Sequence, residues 1–274
     1  MAVDFHTHIY PDRYADRFLA SMSAASGLTP ARGGTRADLL ASMEEAGVSV
    51  SVVLPVAARP DQAHGINEKN ALLNGRDSLV FFGAIHPCCE DPETELDLIA
   101  QAGFRGIKLH PDYQETDFDD PRYLRILEGA ARRNLLIVTH AGIDPGYPGC
   151  PVRCTPEHIL HVYDRLGDLL AGRLILAHLG GMNLPEQVLS SLAGLPFWLD
   201  TAFVLDRYPE LCLQIIRVHG AHRVLFATDY PWASQTDTLA SLHSLGLTQE
   251  EEELILRKNA ASLLQFSSAS PKTT

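Results

Sequence analysis

The feature that most constrains this chain is a repeated beat of short apolar runs, each followed by a stretch with helix signals. The runs fall at about 2–8, 48–56, 79–86, 104–110, 135–140, 174–178, 197–200 and 224–229. Helix signals lie between them at 36–46, 66–76, 91–103, 121–134, 156–170, 185–192 and 209–219. A last helical region spans 235–266, interrupted near Gly246, where Thr248 reads as an N-cap. Residues 10–35, with Gly27, Pro30 and the Gly33-Gly34 pair, read as one long loop. Strands that are apolar on both faces, alternating with helices, imply parallel pairing in a sheet covered on each side. A doubly wound open sheet would place a glycine-rich phosphate turn after the first strand; here the turn reads His-Thr-His-Ile-Tyr-Pro. Eight units over about 250 residues predict an α/β fold, a (β/α)8 TIM barrel. It forms one catalytic domain over residues 1–266, and the polar tail 267–274 is expected to be disordered.

Composition narrows the partners. The 274 residues carry 22 basic and 34 acidic side chains, a net charge of -12 with no basic run, which argues against nucleic acid and anionic membrane surfaces. A local cationic pocket for a small anionic substrate stays compatible with that balance. No apolar run approaches the roughly 20 residues that span a bilayer, and a cytoplasmic protein is expected. The five cysteines, Cys88, Cys89, Cys150, Cys154 and Cys212, are an odd number in a chain too large to need staples, so free thiols are expected. A homo-oligomer built through the outer helices is compatible with the chain but not specified by it.

Barrel enzymes place their chemistry at the C-terminal ends of the strands. The runs end on His6 and His8, His86, Lys108 and His110, His140, His178, and Asp229. Side chains two apart on a strand share a face, so His6 and His8 can grip one cation, although two imidazoles alone could equally be a buried hydrogen-bonded pair. With His140 and Asp229 they make three imidazoles and a carboxylate, a donor set suited to one Zn2+, with Mn2+, Fe2+ or Ni2+ as alternatives. A remaining position suits a metal-activated water. Asp229 is then the candidate base, and His178 the candidate for holding the water or polarising a carbonyl.

Six motifs, Asp4-Phe5-His6-Thr7-His8, Gly106-Ile107-Lys108-Leu109-His110-Pro111, Thr139-His140-Ala141-Gly142, Leu176-Ala177-His178-Leu179-Gly180-Gly181, Leu199-Asp200-Thr201 and Ala227-Thr228-Asp229-Tyr230-Pro231, occur in this order. In them the chain resembles the amidohydrolase superfamily, specifically the amidohydrolase-2 group that includes aminocarboxymuconate semialdehyde decarboxylase. The resemblance implies a metal held at His6, His8, His140 and Asp229, with His178 in catalysis. It leaves two reactions open, hydrolysis of a small amide, ester or lactone and non-oxidative decarboxylation of an unsaturated or aromatic acid. A phosphoesterase and an inactive ligand-binding barrel are weaker rivals. The resemblance also makes Lys108 decide the metal count: carbamylated, it would bridge a second metal; as a free ammonium, it is a point charge for a substrate carboxylate.

His110 and His86, each preceding a proline, are further substrate-contact candidates, with backbone-bonded loop histidines as the alternative. Residues 141–155 follow a ligand strand and read as a lid, in which Arg153 is a candidate anion clamp, Asp144 a contact and Tyr147 a wall. His158, His161, His219, His222 and His243 are expected on the surface or at helix caps. Asp200 and Trp232 read as pocket-lining residues or as a backbone-bonding and a packing residue.

Overall fold

The structure, a computed structural model, describes residues 2–265, so the expected tail 267–274 lies outside the described residues. The chain opens with β1 (Ala2–Thr7), α1 (Asp12–Ser26), α2 (Arg36–Ala46), β2 (Val48–Val53) and α3 (Ala63–Ala71). It continues through β3 (Leu79–Phe81), β4 (Gly83–Ala84), α4 (Pro92–Gln101), β5 (Gly106–Leu109), α5 (Pro121–Arg132), β6 (Leu136–Thr139) and α6 (Pro156–Leu170). β7 (Leu174–Leu176), α7 (Pro185–Ser191), β8 (Trp198–Asp200), α8 (Pro209–His219) and β9 (Val224–Leu225) follow, and α9 (Gln235–Ser244), α10 (Gln249–Glu253) and α11 (Asn259–Leu264) end the described chain.

All strand pairs are parallel, in two hydrogen-bonded sets ordered β1-β2-β3 and β4-β5-β6-β7-β8-β9. β3 and β4 are two halves of one extended run split at Phe82, whose N–H donates to the Val53 carbonyl at 3.0 Å. They therefore count as one barrel strand. The ends meet where Phe5 N–H donates to Phe226 O (2.9 Å), Asp229 N–H to His6 O (2.9 Å) and His8 N–H to Tyr230 O (2.7 Å). This closes the sheet into the eight-stranded barrel that the sequence predicts.

Period-two alternation sorts each strand between two cores. Ile107, Leu109, Ile137, Leu174, Leu176 and Leu199 pack outward among the helices. Val3, Phe5, Leu136, Val138, Ile175 and Leu225 fill the barrel interior. By the same alternation Lys108, between two outward residues, faces inward. β1 departs from this rule, because its pairing with β2 shifts register between Asp4 and Thr7. Such a local irregularity re-aims side chains, which is how Phe5 and His6, adjacent in sequence, can both face the interior.

One expectation about the elements fails. Residues 10–35 are not a single loop, because α1 occupies 12–26. Gly27 is its left-handed C-cap (φ 69), with its N–H bonded to Ser23 O, and the loop signals belong to that cap and the segment after it. Only Ala15 and Leu19 of α1 are buried, so its apolar periodicity is thin. The break expected in the last helical region is present: Leu245–Leu247 are non-helical and Thr248 caps α10 in a capping box with Glu251. A π-helical turn, Leu254–Lys258, joins α10 to α11. The carbonyl of Ile255 accepts from Phe226 N–H at 2.9 Å, and Asn259 Nδ2 donates to Ala221 O and Val224 O, which pins this region to β9. All five cysteines are free.

Candidate metal centre

Asp4 sets where β1 meets the segment after β9. Its fully buried carboxylate accepts from His6 N–H (3.2 Å), Thr228 N–H (3.1 Å), Thr228 Oγ1 (2.7 Å) and Gln235 Nε2 (2.8 Å). Burial nevertheless pushes its pKa up to about 7. The outcome is that His6 and His8 face Asp229, which itself adopts a left-handed backbone (φ 69), an uncommon state for a non-glycine residue.

His6 Nε2 lies 3.2 Å from His8 Nε2, and Asp229 Oδ1 lies 3.5 Å from the first and 3.2 Å from the second. The tautomers follow from the outer contacts. His8 Nδ1 is 2.7 Å from the Leu54 carbonyl and His6 Nδ1 is 2.8 Å from Asp200 Oδ2, groups that accept and do not donate. Both Nδ1 atoms carry the proton, so both Nε2 atoms present lone pairs, and with the Asp229 oxygen three lone pairs converge on one point. Such a set repels itself unless a cation shares it, and Nε2 imidazole with carboxylate oxygen is a transition-metal donor set. The residues fit a divalent ion. Lys108 Nζ stands 3.1 Å from His6 Nε2 and is 1% exposed. Burial lowers its pKa to about 8, against the opposing pull of Asp200, Asp229 and Asp144.

His178, past the end of β7, also has a left-handed backbone (φ 59). Its Nδ1 donates to Ala202 O at 2.9 Å, so its Nε2 is a lone pair, facing His140 Nδ1 at 3.0 Å. The other nitrogen of His140, Nε2, is buried without a hydrogen-bond partner, as is Asp112 Oδ2, and these two atoms are 3.7 Å apart. Burial holds His6 well below the ordinary imidazole value, His178 at about 4 and His140 at about 3, so all three are neutral at pH 7.

A second cluster, His110, His140 and Asp144, has the residue types of a metal site but not the protons. His110 Nδ1 accepts from Tyr113 N–H at 3.4 Å, so its Nε2 carries hydrogen and donates to Asp144 Oδ2 at 3.3 Å. The His110 ring is sandwiched between His140 (4.4 Å, 12° between planes) and Tyr113 (3.8 Å). Tyr113 in turn packs on Tyr147 at 5.0 Å and directs its hydroxyl to Met22 Sδ of α1 at 3.8 Å. An aromatic wall of Tyr113, on the segment after β5, and Tyr147, on the 141–155 segment, therefore borders the centre, whose solvent-accessible edge is formed by His8, Asp229 and Asp144, with side chains 11 to 14% exposed.

The amidohydrolase profile Amidohydro_2 matches residues 3–266. The chain belongs to this amidohydrolase family. As an amidohydrolase it is a member of a metal-dependent enzyme family that acts on small molecules. No curated protein sequence matches it significantly. Solved structures similar to it are remote in sequence and share the fold. A 5-carboxyvanillate decarboxylase from Sphingomonas paucimobilis superposes with a TM-score of 0.73 at 16% identity, covering 97% of this chain and 99% of the other. A probable 2-pyrone-4,6-dicarboxylic acid hydrolase from Acinetobacter baumannii gives 0.66 at 16% identity, with 97% and 99% covered. A dihydroxybenzoic acid decarboxylase from Polaromonas sp. JS666, with bound manganese and the inhibitor 2-nitroresorcinol, gives 0.70 at 16% identity over 96% of both chains.

Among the candidates read from this amidohydrolase's sequence, His6, His8, Lys108 and Asp229 form one contact set, with His140 and His178 paired beside it. His110 bonds Asp144. The Arg153 guanidinium is ion-paired with Asp117 at 3.0 Å, while its N–H donates to Asp112 Oδ1. His86 is buried, and its Nδ1 accepts from Cys88 N–H at 3.0 Å. Sequence reasoning passed over Asp4 and Asp112 and left Asp200 undecided. The signals were present: Asp4 opens the His-x-His motif, Asp112 follows His110 by two, and Asp200 ends an apolar run. A carboxylate that only orients a histidine, however, has the same local pattern as one that bonds backbone.

Proposed function

We propose that this amidohydrolase binds one divalent ion, Zn2+ by its donor set, through His6, His8, His140 and Asp229, and hydrolyses a small amide, ester or lactone. The observation that carries this is the convergence of His6 Nε2, His8 Nε2 and Asp229 Oδ1, a transition-metal donor set, at mutual distances of 3.2 to 3.5 Å. When bound, the ion would acidify a water and polarise a substrate carbonyl. Asp229, with a second carboxylate oxygen to offer, would be the group that takes up a proton. His178, fixed as the Nε2 lone-pair tautomer by the Ala202 carbonyl, accepts from His140 Nδ1 and would exchange that bond for one from water or a protonated leaving atom. Lys108, a free ammonium against His6, supplies positive charge for a substrate carboxylate rather than a carbamate bridge to a second ion. Intact-mass measurement should then show no added carbon dioxide on the protein. The His110–Asp144 pair and Tyr113 shape the substrate wall.

A decarboxylase on the same centre is the second reading. The buried ammonium of Lys108 beside the aromatic wall of Tyr113 and Tyr147 suits a planar acid, and two of the similar folds are named as decarboxylases of aromatic acids. Metal-loaded protein offered lactones, esters, amides and aromatic or unsaturated acids, with acid and carbon dioxide release followed separately, tests both. Turnover of a neutral carbonyl substrate without carbon dioxide supports hydrolysis; carbon dioxide release from an acid replaces it by the second reading.

A further inference from the structure

Asp200 closes β8 inside the barrel mouth and is fully buried. Its Oδ2 accepts from His6 Nδ1 at 2.8 Å, and its Oδ1 accepts from the backbone N–H groups of His178 (2.9 Å) and Ala202 (3.1 Å). All three donors are spoken for by one carboxylate, and each belongs to a different part of the centre. The first decides which nitrogen of His6 is protonated. The second holds the first residue of the left-handed pair His178 and Leu179 (φ 59 and 52), a conformation that non-glycine residues keep only when the surroundings over-determine it. The third fixes Ala202, whose carbonyl orients His178 Nδ1 at 2.9 Å.

We infer that Asp200 is a positioning residue that sets both the tautomer with which His6 meets the metal and the turn that presents His178. This rests on the metal reading of the site. The logic is that of acceptors alone: a carboxylate can face three donors, whereas an amide of the same shape offers one accepting and one donating end. In Asp200→Asn the carbonyl end keeps the two backbone N–H groups, where it makes two bonds rather than one. The NH2 end then faces His6 Nδ1. That nitrogen must accept, and the ring proton moves to Nε2, where it blocks the lone pair meant for the ion. Removal of a carboxylate behind a metal-binding imidazole typically weakens metal affinity by about 10- to 100-fold.

The test uses the full chain. Chelator competition with Zn2+ and Co2+ should show Asp200→Asn binding at least about tenfold more weakly than wild type, with unchanged far-ultraviolet circular dichroism in excess chelator. Imidazole 15N spectra of the metal-free proteins should show His6 protonated at Nδ1 in wild type and at Nε2 in the variant, a change that a merely structural role would not produce. Affinity within about twofold of wild type, or a wild-type His6 protonated at Nε2, overturns the inference. The wild-type tautomer needs no variant, so this second test survives a variant that does not fold. If wild-type protein binds no ion, the metal reading falls, while the tautomer comparison still decides the role of Asp200.

Discussion

At the scale of single residues, the centre is defined by where protons sit as much as by which side chains are present. His6, His8 and His178 each have Nδ1 committed to an acceptor, whereas His110 has Nδ1 committed to a donor, so residues of one type divide into three whose Nε2 is unprotonated and one whose Nε2 carries hydrogen. Substituting His178 by Asn should lower kcat by about 100-fold or more while leaving metal content unchanged, if it handles a proton in the reaction and is not a ligand. Metal analysis alongside steady-state kinetics separates the two effects. His8→Ala should instead abolish tight metal binding. The histidines of the outer helices follow a similar logic. His158 caps α6 with Thr155, and His161 and His243 pair with Asp119 and Glu252 on the surface, as expected. His219 departs from expectation: it is 1% exposed, its Nδ1 accepting from Gly194 N–H and its Nε2 donating to Phe197 O.

That arrangement has a pH signature. Burial, then the charge of Arg223, pushes the pKa of His219 down to about 4 from 6.5. The folded value lies below the unfolded one, so folding favours the neutral ring. The stabilisation is full above pH 6.5, declines between 6.5 and 4, and is gone below 4. Over that window it amounts to at most about 3 kcal/mol. Urea titrations from pH 7 to pH 4 should therefore show a stability slope that is shallower by about one proton in His219→Gln than in wild type.

At the scale of elements, the strands and most helices were legible because their signals are local. The helices expected at 36–46, 121–134 and 156–170 begin beside Thr35, Asp120 and Thr155, whose side chains cap them in the structure. α1 escaped because its buried face is two residues wide and its cap glycine sits among loop residues. The inward turn of His6 was legible only as a pairing with His8; the register shift that produces it depends on β2 and leaves no mark on 3–8. Gly142, directly after the strand that carries His140, shows how tightly the mouth is built. It has φ 91 and pairs with Met182, and a Cβ there would lie 2.2 Å from the Met182 nitrogen. The Met182 oxygen and the Gly181 carbonyl carbon crowd the same point and are also backbone, so Gly142→Ala should destabilise by about 3 kcal/mol, read as a lowered urea midpoint.

At the scale of the whole molecule, the eightfold alternation made the barrel readable, and the barrel made distant strand ends into a centre. The sequence could not show which strand-end groups face one another at hydrogen-bond distance, because that depends on closure between β1 and the chain beyond β9. Since the proposed ligands come from β1, the end of β6 and that last segment, an ion bound to them would link both ends of the barrel and bind the folded state alone. Free metal at 100 times its dissociation constant should raise stability by about 2.7 kcal/mol, and chelation should lower the melting temperature accordingly. His8→Ala should lose most of that difference.

The meeting of the first strand with the last also puts the centre in time. During synthesis His6 and His8 emerge before β2 through β9, and Asp229 after them. Until then the two imidazoles have no carboxylate opposite them, and the Asp4 contacts to Thr228 and Gln235 that aim them do not exist. With the ligand set proposed above, metal capture would have to wait for the chain beyond β9, and a bound ion would certify that the barrel has closed.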